Sequence, residues 1–565
     1  MDTQRLILFF VFAFSGLFLW EAWQRDHAPA QPAQAAQSQK SAELPGAAPG
    51  TTQGTPSAST ASSAAAAPPG AGSPAPGGQI VTIKTDLYAA QVDTAGGVIT
   101  QLALNEHRAA SDQNQPYLAL RRTAERTLVA QSGLIGEGMP NHRTLYEPLP
   151  GPRELAPGAN EVQLRLQATG ANGDKVVQIL TFHRGSYVID VAYEITNATN
   201  AAYSPEMYVQ LMRDPKPLTA QSWGAPSSFT GAAIYDEQDK FKKLDFGELD
   251  KLAADPTRKL PYTPTADNGW TGMIEHYFVT AWLLPDHVLR RFYTNKVDNG
   301  LYIVGERYVD GSIAPGATGT VTARLYAGPQ DQDTLAKLAP GLGLVVDYGI
   351  FTIIAEPLFL LLRFLHGLID NWGWSIIVMT IMVKGAFYPL NAASARSMAK
   401  MKIVAPKMKA LQEQFANDKQ QLQIRMMELY KQEKINPLGG CLPILVQIPV
   451  FIALYWVLLS AVELRHAPWI GWIHDLSAPD PFFVLPIVYA ITAFLQVRLS
   501  PTPISDPMQA RIMQIMPIAF SVMFLFFPAG LVLYWLVNNI LQIGQQWHVN
   551  RMLEREAALV AAKRR

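Results

Sequence analysis

Beyond about residue 335 the chain alternates long apolar runs with short stretches that hold nearly all the local charge, and no other feature restricts the fold so strongly. The runs cover 350–368, 374–390, 442–462, 482–497, 512–527 and 530–543. A helix needs about 20 apolar residues to cross a hydrocarbon layer about 30 Å thick, so these runs are candidate membrane spans. A further apolar stretch at 6–20 lies between Arg5 and the pair Trp23 and Arg25. With its aromatic end it is long enough to span, and we read 1–27 as an uncleaved anchor, with Ala28-Pro29-Ala30 as the alternative of a cleavage site.

Residues 28–78 are mostly Ala, Pro, Gly, Ser, Thr and Gln. Such a segment has too few large apolar side chains to offset its ordering entropy and reads as a tether. From 79 to 335 the pattern changes to β structure. Val162-Gln163-Leu164-Arg165-Leu166 and 188–195 alternate with period two, and Gly, Pro and Asn punctuate them. A segment of this length fits a large twisted sandwich. The single cysteine, Cys441, excludes an intramolecular disulfide and reads as a small packing residue. With 46 basic and 46 acidic residues, overall charge gives no argument for nucleic acid.

Local charge sets the expected topology. The segment 391–440 holds nine basic residues against four acidic ones, and short basic loops remain cytoplasmic. If the N-terminus is cytoplasmic, the anchor carries the β domain outward and only one crossing can precede this loop. One of the runs at 350–390 therefore does not span. Thr352, Glu356, Arg363, His366 and Asp370 make a polar stripe at helical spacing on the first of them. We read 345–370 as an amphipathic helix lying in the interface, the alternative being a buried helix of the β domain. The run at 374–390 then crosses inward and four more crossings follow within 371–550. Both termini are then cytoplasmic, including a basic tail at 551–565. The expected fold class is an α-helical polytopic membrane protein of six spans, five of them forming a core, plus a large extracytoplasmic all-β sandwich.

Within the cytoplasmic loop, Met401, Val404, Met408, Leu411 and Phe415 follow 3,4 spacing. After Asn417-Asp418 the pattern resumes at Leu422, Met426 and Leu429, predicting an antiparallel helical hairpin over 392–435 with a bend or restart at Pro406. Its methionines suit either packing between the arms or an adaptable binding face.

Lys384 lies about ten residues beyond Trp374, some 15 Å along a helix at about 1.5 Å per residue. A cation at that depth costs about 3 kcal/mol on insertion scales, so it faces a partner or water and marks a functional site. The structural alternative is a side chain that snorkels to the membrane edge. Glu463, Asp475, Asp480 and Asp506 all fall in connections, whereas Thr380, Gln447, Thr492, Gln496, Ser521, Asn538, Asn539 and Gln542 supply uncharged polar groups within the runs. Thr380 and Lys384 are one turn apart on one face. Each polar residue alone could also be a helix-to-helix hydrogen bond. A polar lining with one unpaired positive charge suits an acidic visitor.

Several segments together resemble the YidC-type membrane protein insertases of Gram-negative bacteria. They are Asn371-Trp-Gly-Trp-Ser-Ile-Ile, Asn436-Pro-Leu-Gly-Gly-Cys-Leu-Pro, Gln447-Ile-Pro-Val-Phe, Trp472-Ile-His-Asp-Leu-Ser and Gly530-Leu-Val-Leu-Tyr-Trp-Leu-Val-Asn-Asn, with Asp93-Thr-Ala-Gly-Gly-Val-Ile and His276-Tyr-Phe-Val-Thr-Ala-Trp in the β region. The resemblance covers nearly all of the chain except the tether. It implies an inner-membrane insertase and chaperone, acting alone or with the Sec translocon, whose hydrophilic groove receives nascent membrane proteins. It places Lys384, Thr380 and Trp535 on the client's path, with Gln447 and Asn538 in the polar lining. Members of the family commonly carry Arg where this chain has Lys384, and often Tyr where it has Trp535.

The same resemblance makes the hairpin and basic tail candidates for touching the ribosome, adds membrane lipids as partners, and implies no sequence-specific nucleic-acid binding. No catalytic residue, cofactor or metal is expected. Polar residues in spans also admit a transporter or channel, and a carboxylate pair in the β domain would admit a glycan enzyme.

Overall fold

The computed structural model of the chain describes residues 78–109, 114–217, 229–297, 300–415, 418–433, 442–499 and 521–563. The expected anchor at 1–27, nearly all of the tether, most of the run at 512–527 and Cys441 lie outside the described residues.

Ile80 to Pro329 forms two antiparallel nine-stranded sheets. One runs from the edge strand Ile80–Lys84 to Thr265–Ala266 and the other from Lys240–Leu244 to Glu147–Pro148. The alternation expected near 162–166 is realised in the strand Glu161–Thr169, where Val162, Leu164, Leu166 and Ala168 point into the core and the residues between them do not. This strand pairs with Lys175–His183, which pairs in turn with Val188–Thr196. A one-residue slip would turn every buried side chain outward, so burial on one face fixes the register. The inner faces of both sheets contribute to one apolar core.

A charged group is buried where the sandwich approaches the helices. Glu275 is 2% exposed and accepts from Tyr117 Oη at 2.7 Å; it also pairs with Arg213 at 2.7 Å and with Arg121. Burial alone would raise the carboxyl pKa, but the Arg213 and Arg121 guanidiniums hold it at about 2. Glu275 ends the strand Trp270–Glu275, and the turn His276-Tyr277 leads into Phe278–Leu283. Tyr277 has φ of 72°, a left-handed conformation unusual for a residue with a β-carbon.

The helices are α1 (Phe246–Ala254) in the sandwich, α2 (Gln332–Leu338) at its exit, then α3 (Thr352–Ile369), α4 (Trp372–Ala386), α5 (Tyr388–Gln414), α6 (Lys419–Gln432), α7 (Leu442–Ser460), α8 (Val484–Leu499) and α9 (Ala529–Lys563). One apolar cluster runs from Trp270 and Leu283 of the second sheet through Leu335, Leu342 and Val345 into Phe359, Val457 and Val532 of the helices. Helix α3 buries Ala355, Phe359, Leu362 and Leu365 and exposes Ile353, Phe364 and Leu368 on other faces. Along its polar stripe Arg363 pairs with Asp333 and the His366 ring stacks on Trp372.

Six spans are not reproduced among the described residues. By length and composition α3 alone could cross a membrane unaided. Helix α4 with the start of α5 makes a second candidate, broken by a 59° bend. The count falls short partly because 1–27 and 512–520 are not described, and partly because α4 stops early. The expected helical hairpin is present as α5 and α6, with Val404, Met408 and Leu429 buried between the arms and Asp418 capping α6 through Gln420 and Gln421 N–H. The restart expected at Pro406 does not occur, since α5 continues through it as one helix. A proline removes one backbone donor, and at an exposed position the carbonyl it frees can be solvated.

Replacing Glu275 by Ala would remove the carboxylate that pairs with both buried guanidiniums, an expected loss of about 3–5 kcal/mol. Because its folded pKa lies below the ordinary 4.5, its contribution is complete above pH 4.5 and disappears as pH falls through about 2. Thermal unfolding of the detergent-solubilised full-length protein against pH checks both, since Glu275→Ala should flatten the acid limb.

Candidate functional site

Helix α4 begins at a side-chain cap: Asn371 Oδ1 accepts from Trp374 N–H at 3.1 Å, and its Nδ2 reaches the carbonyls of Trp469 (3.1 Å) and Pro468 (3.3 Å). One cap thus fixes both the start of α4 and the connection between α7 and α8. Gly373 is packed under Trp469, where a β-carbon would lie 2.2 Å from the indole Cδ1. This close approach sets the position of α4 along its own axis.

The helix ends at Ala386 after 15 residues, about 22 Å at 1.5 Å per residue. That is shorter than a hydrocarbon layer of about 30 Å. Pro389 explains the stop, since its ring would clash with the carbonyl four residues earlier, at Gly385. The chain bends at Phe387, and Pro389 falls within the first turn of α5, where its missing N–H costs nothing. Lys384 therefore sits in the last turn of α4. The negative pole of a helix favours a cation there.

All five residues expected at the site, Lys384, Thr380, Gln447, Trp535 and Asn538, line one cavity of about 170 Å³ between α4, α7 and α9. Lys384 is 7% exposed, and its Nζ donates to Gln542 Oε1 at 2.8 Å. Among the described residues no carboxylate pairs with it. Thr380 is buried and donates its hydroxyl to Ile376 C=O at 2.6 Å, leaving its oxygen lone pairs directed at the local environment. Trp535 packs on Phe451, with ring centroids 4.2 Å apart, and against Phe524. Its indole N–H is buried and has no partner among the described residues. The wall is thus largely aromatic and aliphatic, with an ammonium and two amides set into it.

Phe451 and Tyr534 also line the cavity, and neither was expected from the sequence. Other polar residues in the runs are used elsewhere: Asn539 donates to Thr492 Oγ1 at 2.9 Å, and Ser375 to Asn371 C=O at 2.8 Å, so both tie helices or turns together. Gln542 was one uncharged group among several. Its signal was spacing, because Trp535, Asn538 and Gln542 at intervals of three and four share one face of α9.

The 60Kd inner membrane protein family model matches residues 364–556, and that of the YidC periplasmic domain matches 80–361. The membrane protein insertase YidC of Nitrosospira multiformis is 50% identical over 99% of this chain and 98% of its own length. That of Cupriavidus necator is 48% identical over the full length of both. The chain belongs to the YidC family of membrane protein insertases. A crystal structure of an active YidC insertase with its first transmembrane domain resolved aligns over 82% of this chain and 91% of its own, at 16% identity and a TM-score of 0.38. As a YidC-family inner-membrane protein, the chain carries its β-sandwich as the periplasmic domain and its helices as the C-terminal region.

Gly373→Ala should displace Trp469 and cost about 1–3 kcal/mol, the usual range for overpacking. Gly385→Ala, with open space around the new methyl group, should be neutral or slightly stabilising. Thermal unfolding of the two detergent-solubilised variants checks the contrast.

Proposed function

We propose that the cavity around Lys384 is the client-binding part of a hydrophilic groove through which this insertase places nascent inner-membrane segments. The observation that carries the reading is a nearly buried ammonium held by an amide, in a cavity where no described carboxylate neutralises it. Burying a charge without an ionic partner is costly, and an acidic group arriving with a client would repay part of that cost.

The mechanism needs no covalent chemistry. The acidic, extracytoplasmic flank of a client is drawn to Lys384 and passes partway across the layer. The short α4 leaves less hydrocarbon thickness to cross at this point. Phe451, Tyr534 and Trp535 offer a surface for the client's apolar stretch, which then moves laterally into lipid. Transfer of a Leu-sized side chain into an apolar phase yields about 1.5–3 kcal/mol, so a 20-residue span completes the step without another energy source. Thr380, Gln447 and Asn538 keep the path polar enough for the flank.

The topology proposed with this mechanism has six spans, both termini in the cytoplasm, and five spans in a core at 371–550. The anchor at 1–27, tether at 28–78, periplasmic domain at 79–335 and interfacial helix at 345–370 precede it. Two features support an interfacial position for α3: its polar stripe, and the apolar side chains Ile353, Phe364 and Leu368 left facing outward toward lipid. The hairpin at 392–435 and the tail at 551–565 form a basic surface suited to ribosomal RNA, and the Sec translocon is proposed as a second partner.

Photocrosslinking probes at 380, 384 and 535 should capture a stalled single-span nascent chain. Lys384→Arg should insert clients nearly as well as the parent, while Lys384→Glu should impair clients with acidic flanks most. Normal insertion by Lys384→Ala together with no crosslinks at the three positions would rule the groove out.

A further inference from the structure

Lys384 has one described hydrogen-bond partner, and the chemistry of that partner matters. Its Nζ donates to Gln542 Oε1 at 2.8 Å. Gln542 lies on α9 one turn beyond Asn538 and two beyond Trp535, on the face that lines the cavity, and is half-buried. The bond crosses from the last turn of α4 to α9, so it sets where the ammonium rests relative to the groove wall.

Three side chains of similar reach would give three different sites. A leucine would leave the ammonium with no described hydrogen-bond partner. A glutamate would form a buried ion pair, a stronger contact than that of a charge with an amide dipole. A client carboxylate would have to displace a carboxylate already in place, with no electrostatic gain. Glutamine solvates the charge through one hydrogen bond and carries none of its own. Exchanging that amide for a carboxylate replaces a charge-dipole contact by a charge-charge contact, and the exchange favours the acidic client.

We propose that Gln542 is a positioning residue that parks the Lys384 ammonium at the groove wall as an exchangeable, uncharged counter-group, and thereby sets the preference for clients with acidic flanks. The proposal rests on the groove reading above and adds to it the residue that determines selectivity. Lysine fits this role because its ammonium is a point charge on a flexible stem, able to leave one acceptor for another without matching a planar fork. The ammonium swings from the amide to the client's carboxylate, and returns when the segment leaves.

The test uses the full-length protein in proteoliposomes and two single-span clients that differ only in an acidic or a neutral flank. Protease protection gives the ratio of acidic to neutral insertion. In Gln542→Glu, which is isosteric and places a carboxylate on Lys384, this ratio should fall at least tenfold. The exchange Lys384→Gln with Gln542→Lys puts the ammonium on the opposite helix across the same bond and should recover most of the ratio. This second variant also controls for misfolding, because a site that tolerates the exchange has kept its packing.

An unchanged ratio in Gln542→Glu, with the ratio lowered in Lys384→Ala, would overturn the role of Gln542 and leave the groove reading standing. An unchanged ratio in both would overturn the groove reading and this proposal with it. Equal loss of both clients in Gln542→Glu, without recovery in the exchanged pair, would reduce Gln542 to a packing residue.

Discussion

A cation in an apolar helix has to be solvated by something, and much of the helical region follows from how this chain does it. Lys384 is nearly buried, and no described carboxylate pairs with it. Its described hydrogen bond goes to the amide of Gln542, and the residue sits in the last turn of α4 and in the lining of the cavity. Lys384 lies at a helix end because α4 stops at Ala386. An unbroken helix through Pro389 would move the negative pole away from the lysine. The break that shortens the helix and the charge it carries are therefore one design.

That arrangement is held from the outside. The Arg465 guanidinium, in the connection between α7 and α8, lies over the rings of Phe278, Tyr117 and Tyr277 at 5.2–5.9 Å, and the His276 ring nitrogen bonds Leu459 C=O at 3.1 Å. Tyr117 in turn donates to Glu275, which the two buried arginines clamp. The same connection packs Trp469 on Gly373 and accepts the Asn371 amide. A continuous set of contacts thus leads from the sandwich core to the first turn of α4. Burial, with the nearby Arg465 charge, holds the His276 pKa at about 4 although its bond to Leu459 C=O favours the protonated ring, so acidification from 6.5 toward 4 weakens this joint.

The parts legible in the sequence are those governed by local periodicity. Alternation at 162–166 became the strand Glu161–Thr169, and the 3,4 spacing of Val404, Met408 and Leu429 became the packed face of the hairpin. Lys384 was conspicuous because one charge in an apolar run needs no partner to be noticed, and Thr380 followed from one helical turn. What escaped was long-range or geometric. Arg465 meets Tyr117 across more than 300 positions, and no pattern of spacing announces a cation above three rings. The break at Phe387 was encoded in Pro389, but that proline lies within the apolar run and hydropathy reads through it. Gln542 was visible only as one amide among several until α9 was placed beside α4.

The choice of lysine gains its meaning from these neighbours. A guanidinium presents five donors in a plane and is best satisfied by two acceptors at once. The cavity wall beside Lys384 offers one described acceptor at hydrogen-bonding distance, and a single ammonium donor matches it. A guanidinium placed here would have more donors than the bound state could satisfy, and water or a client would have to complete them. Lysine with Gln542 needs less water in the resting site. Discrimination then comes less from the shape of the client's acidic group than from its charge, because an ammonium accepts a carboxylate from any direction.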